Sequence, residues 1–325
     1  GGDEMTENIS HKVGNAAYQN KDTHTIYEPI KRGIIEDWDK MEIIWEHIFN
    51  ELSLETKNVN VLMTDSPFNT KMNRTKMAEY MFEKFKVKSF QVMNTAALSM
   101  YSTGKVSGLI AESGEGLSYT VPIFEGYALP HAMVKLDIAG QDITKSLINQ
   151  LEECDIRVAN HSEHIRGLKE QMCSISQNFM YDIQNSDDPI SEEDRSYELP
   201  DSSIIKVNHR QRFKASEIIF NPKLADCSDP GIAQMAFDSI DKCDSDLKIN
   251  LYNNIVLAGG TTMMPGFRDR FEDEIIKYAE NSAKTDINVF ADLHRKHAAW
   301  IGGSMLASFS TFKDMCITFD EYSGT

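Results

Sequence analysis

An acidic side chain at the end of an apolar run, followed at once by a glycine-rich turn, defines the chemistry this chain can do. The segment Leu109-Ile110-Ala111-Glu112-Ser113-Gly114-Glu115-Gly116-Leu117-Ser118-Tyr119-Thr120-Val121-Pro122 reads as strand, tight turn, strand. Gly114 and Gly116 let the backbone fold closely enough to bring N–H groups onto a phosphate, with Ser113 and Glu115 in the same turn. Glu112 sits at the strand end, where a carboxylate can hold a magnesium ion through water. The lysine of a Walker loop is absent, so this is a phosphate-gripping hairpin of another kind. Taken alone, most Gly-x-Gly turns are only tight turns. A second glycine turn, Ala258-Gly259-Gly260-Thr261-Thr262-Met263-Met264-Pro265-Gly266, follows an apolar strand read at Leu251 to Leu257 and precedes a helix at Phe267 to Tyr278. Two such turns at strand ends can converge on one nucleotide between two lobes, although chance pairs are common. His161 with His164, and His294 with His297, are i, i+3 pairs without a third ligand nearby, and surface or cap roles suit them better than a metal.

The elements around these turns alternate between strand and helix, which predicts an α/β fold with a central sheet. Trp38, Met41, Ile44, Trp45, Ile48, Phe49 and Leu52 share one face of an amphipathic helix from Asp37 to Leu52. Val59 to Thr64 reads as a strand. Asn73 to Lys86 reads as a helix with Met77, Tyr80, Met81 and Phe85 inward. Phe90 to Met93 is a third strand, and a helix of small residues follows to Tyr101. Beyond the hairpin, Met133 to Asp137 is a strand, Gln141 to Leu151 a helix and His164 to Ile183 a longer helix. Residues 184–196 read as an acidic, solvated loop. Strands resume at Tyr197 to Pro200 and Ser203 to Val207. The last helix opens at Trp300 and runs through Phe312.

The 325 residues are enough for about two domains, and 41% hydrophobic content can build sizeable cores. Lys and Arg number 33 against 50 Asp and Glu, a net charge of −17, with the basic residues scattered. That balance argues against nucleic-acid binding and for solubility and basic protein partners. Cys154, Cys173, Cys227, Cys243 and Cys316 are widely spaced, with no Cys-x-x-Cys pair, which suits a reducing compartment. No apolar run approaches the ~18 residues of a membrane span, and no signal peptide is visible. The chain opens Gly1-Gly2-Asp3-Glu4 without an initiator Met, so an earlier segment is expected.

Several long stretches resemble the actin family, in that family's order and roughly at its spacing. They are Gly126-Tyr127-Ala128-Leu129-Pro130-His131-Ala132, Leu136-Asp137-Ile138-Ala139-Gly140, Ser196-Tyr197-Glu198-Leu199-Pro200-Asp201, Gly259-Gly260-Thr261-Thr262-Met263 and Trp300-Ile301-Gly302-Gly303-Ser304. The resemblance runs from about Gly2 to about Tyr322. It implies a two-lobed actin-like ATPase fold of duplicated, ribonuclease H-like domains, with ATP or ADP and Mg2+ or Ca2+ in the cleft between the lobes. It divides the chain into a remnant of a small outer subdomain (1–28), a first lobe (29–102 with 297–325), a second lobe (103–138 with 228–296) and an inserted subdomain (139–227). The family's first phosphate hairpin and its subunit-gripping loop would precede Gly1.

Carried over residue by residue, the resemblance implies that Ser113, Gly114, Glu115 and Gly116 wrap the phosphates. Gly140 would lie near base and sugar, and Lys169 and Glu170 would stand on the adenosine-contacting helix. Gly259, Gly260, Thr261 and Met263 would form the adenosine loop, with Lys296 approaching the base. Alone, Lys169 and Glu170 would read as a solvated helix face; the motif Leu168-Lys169-Glu170-Gln171-Met172-Cys173 favours binding.

Three positions depart from the family. A Gln and a His that position the attacking water align with Thr95 and Tyr119, and the Asp that holds the cation through water aligns with Glu112. Thr95 is too short to replace the Gln. A phenol titrates near pH 10 and takes up a proton far less readily than an imidazole, at about 6.5. Glu112 keeps the charge but adds a methylene, and octahedral magnesium tolerates geometry poorly. The expectation is a nucleotide bound but hydrolysed slowly or not at all; a compensating water network is the alternative.

The apolar plug of the family aligns with Leu224-Ala225-Asp226-Cys227, where Asp226 makes burial costly. Arg32 stands for the family's modifiable His. An apolar partner cleft would be lined by Tyr101, Gly104, Gly126, Ile301, Met305, Leu306, Phe309, Thr311 and Met315, against the alternative of ordinary core packing. These features point to an actin-like structural subunit of a larger assembly, such as a ciliary, dynein-associated or chromatin complex. The expected partners are actin-like subunits and actin-binding proteins, without direct nucleic-acid contact or membrane insertion. The expected places are cytoplasm and cytoskeleton, with cilium or nucleus open. The alternative is a conventional filament-forming actin with polymerisation-coupled hydrolysis. A small-molecule kinase or a chaperone-like ATPase of the same fold has less support.

Overall fold

Helices and strands alternate along this chain. In the computed structural model, residues 11–20, 25–154, 156, 162–186, 195–199, 202–279 and 286–324 are described. The chain divides into two units, Gly1–Val92 with Ser310–Thr325, and Met93–Phe309. The acidic loop read over 184–196 lies largely outside the described residues. So do His161 and the end of the strand read to Pro200.

In the first unit the amphipathic helix forms as expected, Trp38–Glu51, with Asp37 accepting from the Lys40 N–H as its N-cap. Met41 and Trp45 are buried with Met77, Met81, Phe82, Val87 and Phe90. Ile48 and Leu52 are exposed, so the inward stripe is narrower than the one read from the sequence. The next helix is Lys71–Glu79, and a π-helical turn, Tyr80–Lys84, continues it. The turn swings Phe82, absent from the inward set read above, fully into the core. A three-stranded sheet runs in the order Ile317–Thr318, Ser89–Asn94, Asn60–Asp65.

The second unit is built on a six-stranded mixed sheet. Val289–Phe290, Ile255–Ala258 and Gly108–Ser113 lie parallel in that order. Ser118–Phe124 then pairs antiparallel with Gly108–Ser113, and Tyr127–Ala128 and Val134–Leu136 pair with it in turn. Ile255–Ala258 is buried along its whole length, as a parallel strand covered on both faces must be. Helices Ile232–Asp241 and Ser245–Asn253 pack on one sheet face, and Thr95–Tyr101 packs on the other. Helix Ala298–Ser308 lies against Thr95–Tyr101.

Three readings are corrected in this unit. The helix read over His164 to Ile183 is two, Ser162–Met172 and Phe179–Asn185. Between them the Ser174 N–H donates to the Arg212 carbonyl and the Ile175 N–H to the Pro265 carbonyl, partners distant in sequence. Asn178 then caps the second helix by accepting from the Tyr181 N–H. The strand read from Leu251 begins only at Ile255. Leu251 and Tyr252 are buried on the end of a helix, and a short apolar run does not distinguish the two states. The helix opening near Trp300 ends at Ser308, where Phe309 turns extended, and Phe312–Met315 and Phe319–Ser323 are separate helices. Among the described residues no helix is long and apolar enough to cross a membrane.

Candidate functional site

The hairpin turn and the second glycine turn meet in the second unit because their strands are neighbours. Gly108–Ser113 pairs parallel with Ile255–Ala258, Ala258 facing Glu112, so both turns leave the same sheet end. Gly259 takes φ +87°, and a Cβ there would stand 2.3 Å from the Ser113 carbonyl oxygen. Glycine is therefore required by the approach of the two backbones.

The Gly114 carbonyl accepts from the Gly140 N–H at 3.0 Å and from the Thr261 hydroxyl at 2.7 Å, while Glu115 accepts at its carbonyl from Gln141 N–H at 2.8 Å. Four of the positions read as a binding set, Gly114, Glu115, Gly140 and Thr261, are thus joined directly. Lys169 joins them from helix Ser162–Met172: its ammonium is buried, donates to the Gly140 carbonyl at 2.8 Å and lies 3.5 Å from Glu115 Oε2. Ser113 is buried and its hydroxyl goes to Ser118, which donates to the Ile138 carbonyl at 2.6 Å. Ser113 therefore braces the turn from within. Gly116 and Met263 are half-buried beside it. Glu170 is exposed on the outer side of its helix and pairs with Arg166. Lys296 is exposed, and its aliphatic stem passes over Gly260.

Two glycines here are not demanded by the protein's own packing. A Cβ at Gly114 would meet only the Leu117 carbonyl oxygen, at 3.9 Å, and one at Gly260 only the Lys296 stem, at 3.7–3.9 Å. Neither takes a left-handed φ. Bare backbone facing open space beside a buried ammonium fits the close approach of a phosphate-bearing ligand.

The three departing positions also come together. Antiparallel register places Glu112 opposite Tyr119, on one sheet face. Helix Thr95–Tyr101 covers that face and presents Thr95 and Ser99, one helical turn apart. The Tyr119 phenol donates to the Glu112 carboxylate. Its single proton being spent there, it accepts from the Thr95 hydroxyl, at 2.8 Å. Ser99 Oγ donates to Glu112 Oε2 at 3.4 Å. Burial pushes the Glu112 carboxyl above its usual range, against the two hydrogen bonds that hold it down. Burial first, and the Glu112 charge second, push the Tyr119 phenol well above its ordinary value.

Sequence reasoning missed Ser99, whose signal was its i+4 spacing from Thr95. It also missed Arg295, whose guanidinium donates to Thr262 Oγ1 at 3.1 Å and to the Thr262 carbonyl at 2.8 Å. Its own carbonyl accepts from the Gly259 N–H at 3.1 Å, so it anchors the second glycine turn at both ends. The partner-cleft residues of this unit lie near the helix pair. Tyr101 places its phenol over Gly126, Gly104 is exposed, Ile301 is half-buried, Met305 and Phe309 are exposed, and Leu306 is buried. In the first unit, Thr311 and Met315 are exposed.

Comparison with protein-family models matches residues 2–325 to the family described as Actin. The match spans nearly the whole chain and agrees with the mixed α/β architecture and with the paired glycine turns. The chain belongs to the actin family.

Proposed function

We propose that this protein binds ATP or ADP at the joined glycine turns and acts structurally, as an actin-like subunit of a larger assembly, with weak or lost hydrolysis. Actin-family proteins typically bind these nucleotides with a divalent cation. The observation that carries the reading is the pair Gly114 and Gly260, open backbone with no packing reason to be glycine, beside Lys169. Gly114, Glu115 and Gly116 hold the phosphates; Gly260, Thr261, Met263 and Lys296 hold the adenosine end. A divalent cation would accompany the phosphates, and Glu112 is the carboxylate that would hold it through water.

Slow hydrolysis is supported by the Thr95–Tyr119–Glu112 chain. It fills the water-positioning places with a hydroxyl and a phenol already committed to one another. A structural role in an assembly is supported by the exposed turn Leu224–Asp226, which offers a carboxylate where an ordinary filament contact would bury apolar side chains. Exposed Met305 and Phe309 support contact with actin-binding partners. The expected setting is the cytoskeleton or cytoplasm.

Gly114→Ala tests the site. Its stability should stay within about 0.5 kcal/mol of the original, since the new methyl meets only one distant atom. ATP affinity by calorimetry should fall about tenfold or more, because the methyl stands where a phosphate oxygen would. Unchanged affinity, or no ATP binding by the original protein, would sink the reading. High-speed pelleting with Mg-ATP tests the assembly: the expected protein remains in the supernatant and releases no phosphate above background. Sedimentation above a critical concentration would favour a filament-forming actin instead.

A further inference from the structure

We propose that Tyr119 is an internal clamp that withholds the Glu112 carboxylate from cation binding, so that this nucleotide site owes little of its affinity to Mg2+ or Ca2+. The inference rests on the nucleotide-binding reading above and deepens it.

The argument is one of competing donors. A carboxylate that holds a hydrated cation does so by accepting from the cation's outward-pointing waters. Here the carboxylate already accepts from the Tyr119 phenol and from Ser99 Oγ. A hydrogen bond to a charged acceptor is among the stronger ones a protein makes, so metal-bound water must displace it to gain the same oxygen.

The phenol is also poorly placed to step aside. Tyr119 is 4% exposed, its backbone is fixed between Glu112 and Lys135 in the sheet, and Thr95 holds its oxygen from behind. Thr95 in turn opens its helix next to the N-cap Asn94, whose side chain accepts from the Ala96 N–H at 2.8 Å. Gly259 packs beside the Glu112 Cγ. Among the described residues no group of three or more His, Cys, Asp or Glu side chains could hold a metal ion by itself.

Tyr119 is thus a positioning residue. It acts on the cation through Glu112, and removal of its hydroxyl alone should expose that role. The test is ATP titration calorimetry of the full chain in Mg2+ and in EDTA. The original protein should bind with affinities that differ by about threefold or less. Tyr119→Phe keeps the ring and removes the clamp, and its Mg2+-to-EDTA ratio should rise to about tenfold or more. Thr95→Val releases the phenol from behind and should shift the ratio the same way, by less.

An original protein whose affinity collapses in EDTA overturns the proposal. So does a Tyr119→Phe protein with an unchanged ratio; should that variant fail to fold, an unchanged ratio in Thr95→Val overturns it equally. Binding in EDTA upholds the nucleotide reading whichever way the ratio falls. Absence of binding in both conditions overturns the clamp together with that reading.

Discussion

Gly302→Val should unfold this protein or cost it about 3 kcal/mol or more. The helix Ala298–Ser308 lies so close to Thr95–Tyr101 that a Cβ at Gly302 would stand 1.8 Å from the Leu98 carbonyl oxygen and 3.1 Å from the Ser102 nitrogen. Both are backbone atoms of one helical turn, joined by the Ser102 N–H to Leu98 carbonyl bond. No rotamer change relieves such a clash, so the helices must separate or the first must unwind. Ala96 and Ala97, in the same helix as Leu98, are small and buried. Separation would also withdraw Thr95 and Ser99 from Tyr119 and Glu112, because all four depend on that helix seating on the sheet. Thermal melting checks the effect, with Ser304→Val on the exposed face of the same helix as the control. The control should change stability by about 0.5 kcal/mol. A Gly302→Val protein that melts within a few degrees of the original would show that the helix pair adapts.

Much of this site could be read from the chain because hairpin geometry is local. The turn at 114–117 sets the register, and counting outward from it brings Glu112 opposite Tyr119 before any tertiary contact is known. The amphipathic helix Trp38–Glu51 was legible for a similar reason: its cap and its inward Met41 and Trp45 are spaced within one segment. What stayed hidden depends on distant partners. The break after Met172 exists because the carbonyls of Arg212 and Pro265 compete for the Ser174 and Ile175 amides. Nothing in the local sequence reports those carbonyls. Leu251 and Tyr252 read as strand from the sequence because burial on a helix and in a parallel strand produce the same apolar run. The amphipathic helix Ile232–Asp241, which packs on the central sheet, does carry a local signal, since Ile232, Met235, Ala236 and Ile240 recur at helical spacing and are buried. Thr95 was picked out by resemblance alone, and its contact with Tyr119 required the seating of one helix on the sheet.

A second large effect should come from Arg270→Met, and its size should depend on pH. The Arg270 guanidinium lies 3.0 Å from the Glu217 carboxylate, with side-chain exposures of 12% and 2%, and also pairs with Glu274. It donates to the Ser176 carbonyl at 2.6 Å and stacks over the Phe220 ring. Burial pushes the Glu217 carboxyl up to about 7, with Arg270 opposing that rise. Because the folded value lies above the ordinary 4.5, the folded state holds this proton more tightly than the unfolded chain. Stability from the protonated form is complete below pH about 4.5 and is lost as pH rises through about 7, worth at most about 3 kcal/mol. Removing Arg270 takes away the charge and the hydrogen bond that offset the Glu217 charge above that range. The loss at pH 8 should therefore be about 3–5 kcal/mol, of which up to about 1.4 kcal/mol, the cost of protonating at pH 8 a carboxyl that titrates at about 7, disappears by pH 5. Glu217→Gln in the same chain removes the stranded charge and should recover that pH-dependent part at pH 8 while changing little at pH 5. Urea unfolding of the three proteins at both pH values measures this. An equal loss at the two pH values would mean that Arg270 stabilises the fold through its contacts with Ser176 and Phe220, with Glu217 charged or neutral to the same extent throughout.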